Sequence, residues 1–294
     1  MRSHATLGIG DLQVRPLHEQ FGAEVTGIDM RQPQSEETKQ RLRELFAMYS
    51  ILVFRDQRVT DEEQVAFTRI FGGLEETTFK IAQNHPYVYQ LSNIDENGEV
   101  LELDSKKRLF LEVNARWHTD SSFREIPAKG SLLSGREVPE GEGETAFCSM
   151  RVGWQTLPED MKHRVENLKA VHSYAYSLSL FDDTGAGVTG EELSTVPPVV
   201  HPVVRTHPDT GEKSLYVSGH IERIEGMPVK EGRALAEDLI RWCSRPGFVY
   251  EHHWQPFDAV MWDNRCALHR ATAIPATQRR IMHRTTIAGE GPVV

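Results

Sequence analysis

Short, strand-like runs dominate the chain from Tyr87 onward, and they restrict the folds that it can adopt. Apolar and β-branched segments such as VYQLSNI, GSLLSGREV, FVYEHHW and RRIMHRTTIAG alternate with turns that carry Gly, Pro, Asp and Asn. Many short strands at this spacing are typical of a β-sandwich or a β-barrel. The second part of the chain is therefore predicted to be mainly β.

Helices are predicted before and between these strands. Ser35 fits the N-cap of a helix whose apolar residues recur at three- and four-residue steps. Thr60 and Glu63 form the capping-box pattern of a second helix. Two more helices are predicted between the strands, one within residues 158–170 and one from about 231 to 243. The whole chain is thus predicted to be mixed α/β and mainly β.

The charge balance argues against a nucleic-acid partner. The 294 residues include 33 basic and 43 acidic side chains, for a net charge of -10, whereas binding to phosphates needs a basic surface. A small ligand is expected instead. No apolar run reaches the length of a membrane span, and the opening MRSHATLGIGDLQV lacks the order of a signal peptide. We therefore expect no membrane partner and a cytoplasmic location.

A single domain spanning residues 1–294 is predicted, because no internal repeat and no shift in composition marks a boundary. The stretch from about 176 to 196 is polar and contains several glycines. It is predicted to be a long surface loop that could act as a mobile lid. The three cysteines are widely separated, so any metal site must use histidine and carboxylate ligands.

The segment RWHTDSSF contains a candidate metal-binding pair, His118 and Asp120. In an extended segment, residues two positions apart point the same way, so both side chains can reach one ion. Non-haem Fe(II) oxygenases hold iron with two histidines and one carboxylate. His269 in WDNRCALHRAT could be the third ligand, brought close by the folding of distant strands.

This pair alone is weak support for a metal site. The chain has 13 histidines and 43 acidic residues, so several such pairs arise by chance. His220 and Glu222 in SGHIERIEG offer the same donor atoms. Either pair could equally be an ordinary hydrogen-bonded feature of the surface or core.

A second candidate feature lies in QRRIMHRTT near the C-terminus. Period-two alternation places Arg280, Met282 and Arg284 on one face of a predicted strand. Buried arginines usually have anionic partners, either protein carboxylates or a bound acid, and a guanidinium matches the geometry of a carboxylate. The alternative is an edge strand with both faces in water.

Four motifs together indicate a family. WHTDSSF, GETAFCSM, MWDNRCALHRAT and RRIMHRTTIAG, in this order and spacing, resemble the TauD/TfdA family of Fe(II)- and 2-oxoglutarate-dependent dioxygenases. The similarity extends from FGAEVTGIDM to the C-terminus. NIDENGEV, CSMR and the closing PVV are closer to the branch of 2,4-dichlorophenoxyacetate, or aryloxyalkanoate, dioxygenases.

The resemblance implies roles for particular residues of this chain. It makes His118, Asp120 and His269 the catalytic iron ligands, and leaves the rival pair outside the metal site. Arg280 follows the last histidine by eleven positions, as does the family's arginine for the far carboxylate of 2-oxoglutarate. Thr145 corresponds to the threonine that assists it.

The resemblance also implies substrate-binding residues. Arg284, four positions after Arg280, corresponds to the arginine that meets the acidic end of the primary substrate. Asn114 matches a substrate-contacting asparagine of the taurine branch, and Lys80 lies in the segment that lines the substrate entrance. Asn114 could instead cap a turn, and Lys80 could be a solvated surface charge.

The implied fold is a double-stranded β-helix, or jelly roll, with flanking helices, and the implied oligomeric state is a homodimer or larger. The implied cofactors are Fe(II), 2-oxoglutarate and O2, and the implied substrate is a small organic acid. For an aryloxyalkanoate, hydroxylation beside the ether oxygen would lead to a phenol and an oxo acid. Two alternatives stay open: taurine, another alkylsulfonate or an alkyl sulfate as substrate, and a zinc hydrolase or metal-binding jelly-roll module.

Overall fold

The fold consists mainly of β-strands with helices between them. The computed structural model describes residues 12–76, 85–102, 113–180, 193–273 and 277–294. Its strands are β1 (Gln13–Pro16), β2 (Ala23–Thr26), β3 (Ile51–Phe54), β4 (Tyr89–Ser92), β5 (Gly130–Glu137), β6 (Thr145–Ser149), β7 (Lys169–His172), β8 (Val199–Pro202), β9 (Val204–Thr206), β10 (Lys213–Leu215), β11 (Ile221–Ile224), β12 (Val249–His252), β13 (Ala259–Asp263), β14 (Ala267–Ala271) and β15 (Ile281–Ile287). The α-helices in the same part of the chain are α1 (Glu36–Tyr49), α2 (Asp61–Thr68), α3 (Met150–Thr156), α4 (Glu159–Val165), α5 (Tyr174–Ser179) and α6 (Val229–Cys243).

The largest sheet has seven strands in the order β1-β2-β3-β13-β5-β15-β4. Its neighbouring strands are antiparallel except β2 and β3. Side chains point alternately to the two faces of the sheet. Consecutive residues of β3 and β13 are all buried, so both faces are covered. One face packs against α1 and α2, in a buried cluster that includes Leu52, Phe46 and Phe67. The opposite face carries Val53, Trp262 and other apolar residues toward the second sheet.

The second sheet has three antiparallel strands in the order β12-β6-β14. Phe147 of β6 lies in the same buried cluster as Trp262 of the large sheet, and their ring centroids are 5.6 Å apart. The other face of β6 and β14 packs on the cluster that contains α6. A further sheet, β11-β7-β8, and the pair β9-β10 complete the described strands. The space between the two main sheets is where the candidate site lies.

The prediction of a mixed α/β, mainly β fold is confirmed, and so are both N-terminal helices. Ser35 caps α1 by accepting a hydrogen bond from the Thr38 backbone. At α2, the Thr60 side chain and the Glu63 side chain each bond the other's backbone, which is the full capping box. In the part of the chain that the structure describes, no helix is long and apolar enough to cross a membrane.

Two predictions about the strand-rich region are wrong. Four helices rather than two lie between the strands of the described ranges, since α3 directly follows β6 and α5 directly follows β7. The predicted loop over 176–196 therefore starts too early. Ser173 caps α5 by accepting from the Tyr176 backbone, and Tyr174 and Leu178 are buried one helical turn apart. Most of that predicted lid, residues 181–192, lies outside the described residues.

Candidate active site

Two histidines from distant parts of the chain are held side by side by backbone pairing. His269 lies on β14, and His118 forms an isolated antiparallel bridge with it. The His118 backbone N–H donates to the His269 carbonyl at 3.0 Å, and the His269 N–H donates to the His118 carbonyl at 2.8 Å. Their ring centroids are 4.2 Å apart. The two imidazoles therefore project together from one edge of the second sheet.

Asp120 completes a group of three. Its Oδ1 atom is 3.9 Å from Nε2 of His118 and 3.8 Å from Nε2 of His269. All three side chains are buried, and one donor atom from each lies within 4.8 Å of the others. Thr119, between the first two, hydrogen-bonds to Asn264 instead. The predicted i, i+2 convergence of His118 and Asp120 is thus present.

The protonation states suit a divalent cation. The His118 ring donates from Nδ1 to the Arg116 carbonyl at 2.7 Å, so Nε2 presents its lone pair toward Asp120. Burial lowers the pKa of both His118 and His269, which keeps the rings neutral. Burial alone would raise the pKa of Asp120, but the nearby Arg284 guanidinium, aided by the hydrogen bond from Ser131, holds it below its usual value. Two neutral imidazoles and one carboxylate are a donor set that Fe(II) accepts.

A pocket beside this group brings several of the predicted residues together. It is lined by Leu91, Asn114, Leu133, Thr145, Trp262, His269, Ala271, Arg280 and Arg284. These residues come from both main sheets and from the 3₁₀ turn at Val113–Ala115. Four of the predicted cofactor- and substrate-binding side chains therefore share one cavity with a predicted metal ligand. Lys80 lies outside the described residues.

Arg280 is a buried cation without an anionic partner among the residues that the structure describes. It is 5% exposed, and its guanidinium makes no hydrogen bond to any residue that the structure describes. Burial lowers its pKa to about 10, which still leaves it charged at neutral pH. Its backbone is fixed by Asn93, whose Oδ1 accepts from the Arg280 N–H at 2.6 Å and whose N–H donates to the Arg280 carbonyl at 3.1 Å. Such a charge is expected to meet an anionic ligand.

Thr145 and Arg284, unlike the Arg280 guanidinium, each form a side-chain hydrogen bond with another described residue. The Thr145 hydroxyl accepts a hydrogen bond from the Trp254 indole at 3.1 Å. Arg284 donates to Oδ1 of Asp120 at 2.9 Å and lies over the Tyr89 ring, 5.5 Å from its centroid. The sequence predicted both residues for the site, but not the contact between Arg284 and Asp120. Asn93 and Trp254 were missed altogether, because nothing near them in sequence points to Arg280 or Thr145.

The rival pair does not form a metal-binding group. His220 lies near His118, with 5.9 Å between ring centroids, whereas Glu222 pairs with its neighbour Arg223. The described residues contain one other group with suitable donors, His207, Asp263 and Cys266.

That second group is already occupied by protein contacts. Both oxygens of Asp263 bind the Arg265 guanidinium, at 2.8 and 2.7 Å, and one also binds His207 at 3.0 Å. A cation there would have to displace Arg265 from both carboxylate oxygens, whereas Arg284 contacts only Oδ1 of Asp120. Of the two groups, the one formed by His118, Asp120 and His269 is therefore better suited to a metal.

Comparison with known proteins agrees with this geometry. Residues 13–286 match the family model described as "Taurine catabolism dioxygenase TauD, TfdA family". The chain belongs to the TauD/TfdA family. It is 36% identical over 283 residues to an α-ketoglutarate-dependent 2,4-dichlorophenoxyacetate dioxygenase of Cupriavidus pinatubonensis, covering 95% of this chain and 98% of that one.

Two more proteins are similar to this chain over nearly their full length. An (S)-phenoxypropionate/α-ketoglutarate dioxygenase of Sphingobium herbicidovorans is 38% identical, with 94% of this chain and 95% of that one covered. The crystal structure of AAD-2 in complex with Mn(II) and N-oxalylglycine is 39% identical and superposes with a TM-score of 0.87, covering 96% and 98% of the two chains. The resemblance that the four motifs indicated is confirmed.

Proposed function

We propose that this protein is an Fe(II)- and 2-oxoglutarate-dependent dioxygenase that hydroxylates an aryloxyalkanoate and thereby cleaves its ether bond. One observation carries the proposal: Arg280, a buried arginine without an anionic partner among the described residues, lines the same pocket as His269 of the His-Asp-His donor group. A metal and an acidic co-substrate could therefore bind side by side. The similar chain AAD-2 was crystallised with a divalent metal and a dicarboxylate.

His118, Asp120 and His269 would hold the iron, through the two Nε2 atoms and Oδ1. When bound there, Fe(II) supplies the activation of O2 that is coupled to decarboxylation of 2-oxoglutarate to succinate and CO2. The protein residues contribute position and charge. The hydrogen bond from His118 to the Arg116 carbonyl fixes the ring and its tautomer, and the buried surroundings limit access of water.

Arg280 would bind the far carboxylate of 2-oxoglutarate. Its guanidinium offers parallel N–H donors that match the two carboxylate oxygens, and its charge is without a counter-ion among the described residues. Thr145 lies in the same cavity and would add one O–H donor. Together they would orient the co-substrate so that its keto acid end reaches the metal.

Arg284 would recognise the acid group of the primary substrate. It lines the cavity and stands next to Asp120, so a substrate held by its carboxylate would lie beside the reacting centre. Leu91, Leu133 and Trp262 supply apolar surface that suits an aromatic ring. Asn114 lines the same cavity and would offer the substrate a second polar contact. The role of Lys80 rests on the family resemblance alone.

The overall reaction follows from where the hydroxyl is placed. An aryloxyacetate hydroxylated on the carbon next to the ether oxygen is a hemiacetal, which breaks its C–O bond to give a phenol and glyoxylate. One O2 and one 2-oxoglutarate are consumed for each substrate, and succinate and CO2 are the other products. The relatives named for 2,4-dichlorophenoxyacetate and (S)-phenoxypropionate support this substrate class.

The finer structural predictions belong to the same proposal. We infer that the two packed sheets form the double-stranded β-helix, or jelly roll, and that residues 1–294 are one domain. The face-to-face packing of the seven-stranded sheet on β12-β6-β14 supports the jelly roll. A homo-oligomeric state and a cytoplasmic location stay predictions.

The competing substrates are acids of another kind. A guanidinium accepts a sulfonate or a sulfate ester as well as a carboxylate, so taurine, alkylsulfonates and alkyl sulfates are the alternative within the family. Zinc-dependent hydrolysis accounts less well for the pocket, because it gives no role to Arg280, whose charge meets no anion in the described part of the chain.

The test is oxygen uptake with Fe(II) and 2-oxoglutarate across a panel of acids. The panel contains aryloxyacetates, aryloxypropionates, taurine, alkylsulfonates, alkyl sulfates and simple carboxylic acids. We expect aryloxyalkanoates to stimulate uptake and to release a phenol. Stimulation by a sulfonate or sulfate ester alone would overturn the substrate class, and hydrolysis that is independent of O2 would overturn the reaction type.

A further inference from the structure

Asp120 is fixed by a hydrogen-bonded relay that starts at a residue outside the donor group. The relay consists of Asn264 and Ser131, both of them buried, with exposed fractions of 1% and 0%. Asn264 lies directly after β13, and Ser131 lies on β5, opposite Trp262 in the sheet register. Both residues therefore reach Asp120 from the large sheet or its immediate end.

The orientation of the Asn264 amide is determined by its partners. Its Oδ1 atom accepts from the Trp262 indole N–H at 3.0 Å and from the Asp120 backbone N–H at 3.2 Å. Both partners can only donate, so this position must be the oxygen. The amide nitrogen then points to Ser131 and donates to its hydroxyl oxygen at 3.1 Å.

The direction of the hydrogen bond between Ser131 and Asp120 is determined as well. Because Ser131 accepts from Asn264, its own hydrogen is available, and it donates to Oδ2 of Asp120 at 2.7 Å. Asn264 therefore acts on Asp120 in two ways. It accepts a hydrogen bond directly from the Asp120 backbone N–H, and it holds the Ser131 hydroxyl that donates to the Asp120 carboxylate. One side chain sets both the position and the rotation of Asp120.

The relay leaves the two carboxylate oxygens in different positions. Oδ2 is engaged by Ser131, whereas Oδ1, which also accepts from Arg284 at 2.9 Å, is the atom that faces the Nε2 atoms of His118 and His269, at 3.9 and 3.8 Å. A metal that took both oxygens would have to compete with the Ser131 hydroxyl for Oδ2. We propose that Ser131 and Asn264 are positioning residues that present Asp120 to the metal through Oδ1 alone.

This inference rests on the proposed function only in taking His118, Asp120 and His269 as the metal ligands. Hydrogen bonds to a ligating carboxylate orient it before the metal arrives, and their loss typically weakens metal binding by about 10- to 100-fold. The hydroxyl of Ser131 is expected to act in this way. Asn264 is expected to act partly through Ser131 and partly through the Asp120 backbone.

The first experiment compares Ser131→Ala with Ser134→Ala in metal-free protein titrated with Mn(II) or Co(II). Ser134 is a matched control, because it is buried on the same strand and donates a hydrogen bond of the same 2.7 Å length, to Gln64 rather than to Asp120. We expect the metal dissociation constant to rise about 10- to 100-fold in Ser131→Ala. In Ser134→Ala we expect it to change by less than about twofold.

A second readout separates positioning from general loosening. Freeing Oδ2 lets Asp120 bind through both oxygens, so the visible spectrum of Co(II)-loaded Ser131→Ala should change from the wild-type band pattern. Asn264→Ala is the second variant. Combining Ser131→Ala with Asn264→Ala in a double variant completes a double-mutant cycle. If the two residues form one relay, the affinity losses of the single variants will not multiply in the double variant.

Three results decide the matter. Wild-type metal affinity and Co(II) spectrum in folded Ser131→Ala would overturn the relay while leaving the proposed function intact. Equal losses in Ser131→Ala and Ser134→Ala would also overturn it, by showing a general effect of strand packing. Absence of metal binding by the wild-type protein would contradict the proposed function itself.

Discussion

Trp254 donates its indole N–H to the hydroxyl oxygen of Thr145, with 3.1 Å between the two heavy atoms. An indole cannot accept, so the Thr145 hydroxyl keeps its own hydrogen free to donate. Trp254 is itself held in place: its ring packs edge-on against His252 at 4.6 Å, and His252 binds Asp258 at 3.1 Å. The pocket therefore contains an O–H donor whose direction is set from outside the pocket.

Trp254→Phe should weaken the use of 2-oxoglutarate. The change keeps the aromatic packing but frees the Thr145 hydroxyl to rotate, so we expect the KM for 2-oxoglutarate to rise about three- to tenfold, with a smaller effect on kcat. Steady-state kinetics at saturating substrate measure this. Trp242→Phe is the matched control, because Trp242 donates an indole bond of the same 3.1 Å length to the Gly153 carbonyl. An unchanged KM in Trp254→Phe would contradict the role of the bond.

Arg280→Met should stabilise the ligand-free protein while abolishing co-substrate binding. Burial lowers the pKa of Arg280 to about 10, so its charge costs stability at every pH below that value, and replacing an uncompensated buried charge by an apolar side chain relieves the cost. We expect Tm to rise by about 2 °C or more. Adding 2-oxoglutarate should raise Tm of the wild type but not of Arg280→Met. A lower Tm in the variant would show that Arg280 has a structural role instead.

Arg284→Ala should affect the primary substrate more than the co-substrate. Losing a charged donor to a carboxylate costs about 1.5–3 kcal/mol, so we expect the KM for an aryloxyalkanoate to rise at least about tenfold and that for 2-oxoglutarate by much less. Assays at saturating Fe(II) are needed, because Arg284 also contacts Asp120. Arg279→Ala is the control, since Arg279 lies outside the pocket and pairs with Glu137. A rise in the KM for 2-oxoglutarate without a rise in the KM for the aryloxyalkanoate would instead assign Arg284 to co-substrate binding.

Acid should destabilise the protein through buried histidines such as His172. Burial lowers the pKa of His172 well below its usual value, and the nearby His201 and His220 lower it further. A histidine with a lower pKa in the folded state is neutral there, but takes up a proton on unfolding below about pH 6.5. Stability is therefore lost as pH falls below about 6.5, by on the order of 1 kcal/mol between pH 7.5 and 5.5 for one such group.

His172→Asn isolates this contribution. Urea denaturation of metal-free protein at the two pH values should show a smaller loss for His172→Asn than for the wild type. His163→Gln serves as the control, because His163 is exposed at 77% of its side chain. The account fails for His172 if both variants keep the full wild-type pH dependence.

Local signals in the sequence predicted much of the fold and the site. The capping residues Ser35 and Thr60 mark the starts of α1 and α2, because capping bonds reach only three residues along the chain. The alternation that put Arg280 and Arg284 on one face was correct: both reach the pocket, while Arg279 binds Glu137 outside it. Strand periodicity alone decides this parity.

What the sequence did not predict depends on distant pairing. Ser131 and Asn264 are separated by 133 residues, and Thr145 and Trp254 by 109. Those contacts follow from the register of neighbouring strands, which no short motif encodes. The helix α5 was missed for another reason, because its cap at Ser173 and its buried Leu178 stand beside a polar, glycine-bearing stretch that suggested a loop.

A product balance with phenoxyacetate, Fe(II), 2-oxoglutarate and O2 tests the proposed reaction in one experiment. We expect phenol, glyoxylate and succinate in equal amounts, with one O2 consumed per phenol and no phenol when either Fe(II) or 2-oxoglutarate is left out. His118→Ala should form none of the three, whereas His207→Asn, altered in the other donor group, should keep the stoichiometry. Phenol released without succinate, or without O2, would contradict a 2-oxoglutarate-coupled oxygenase.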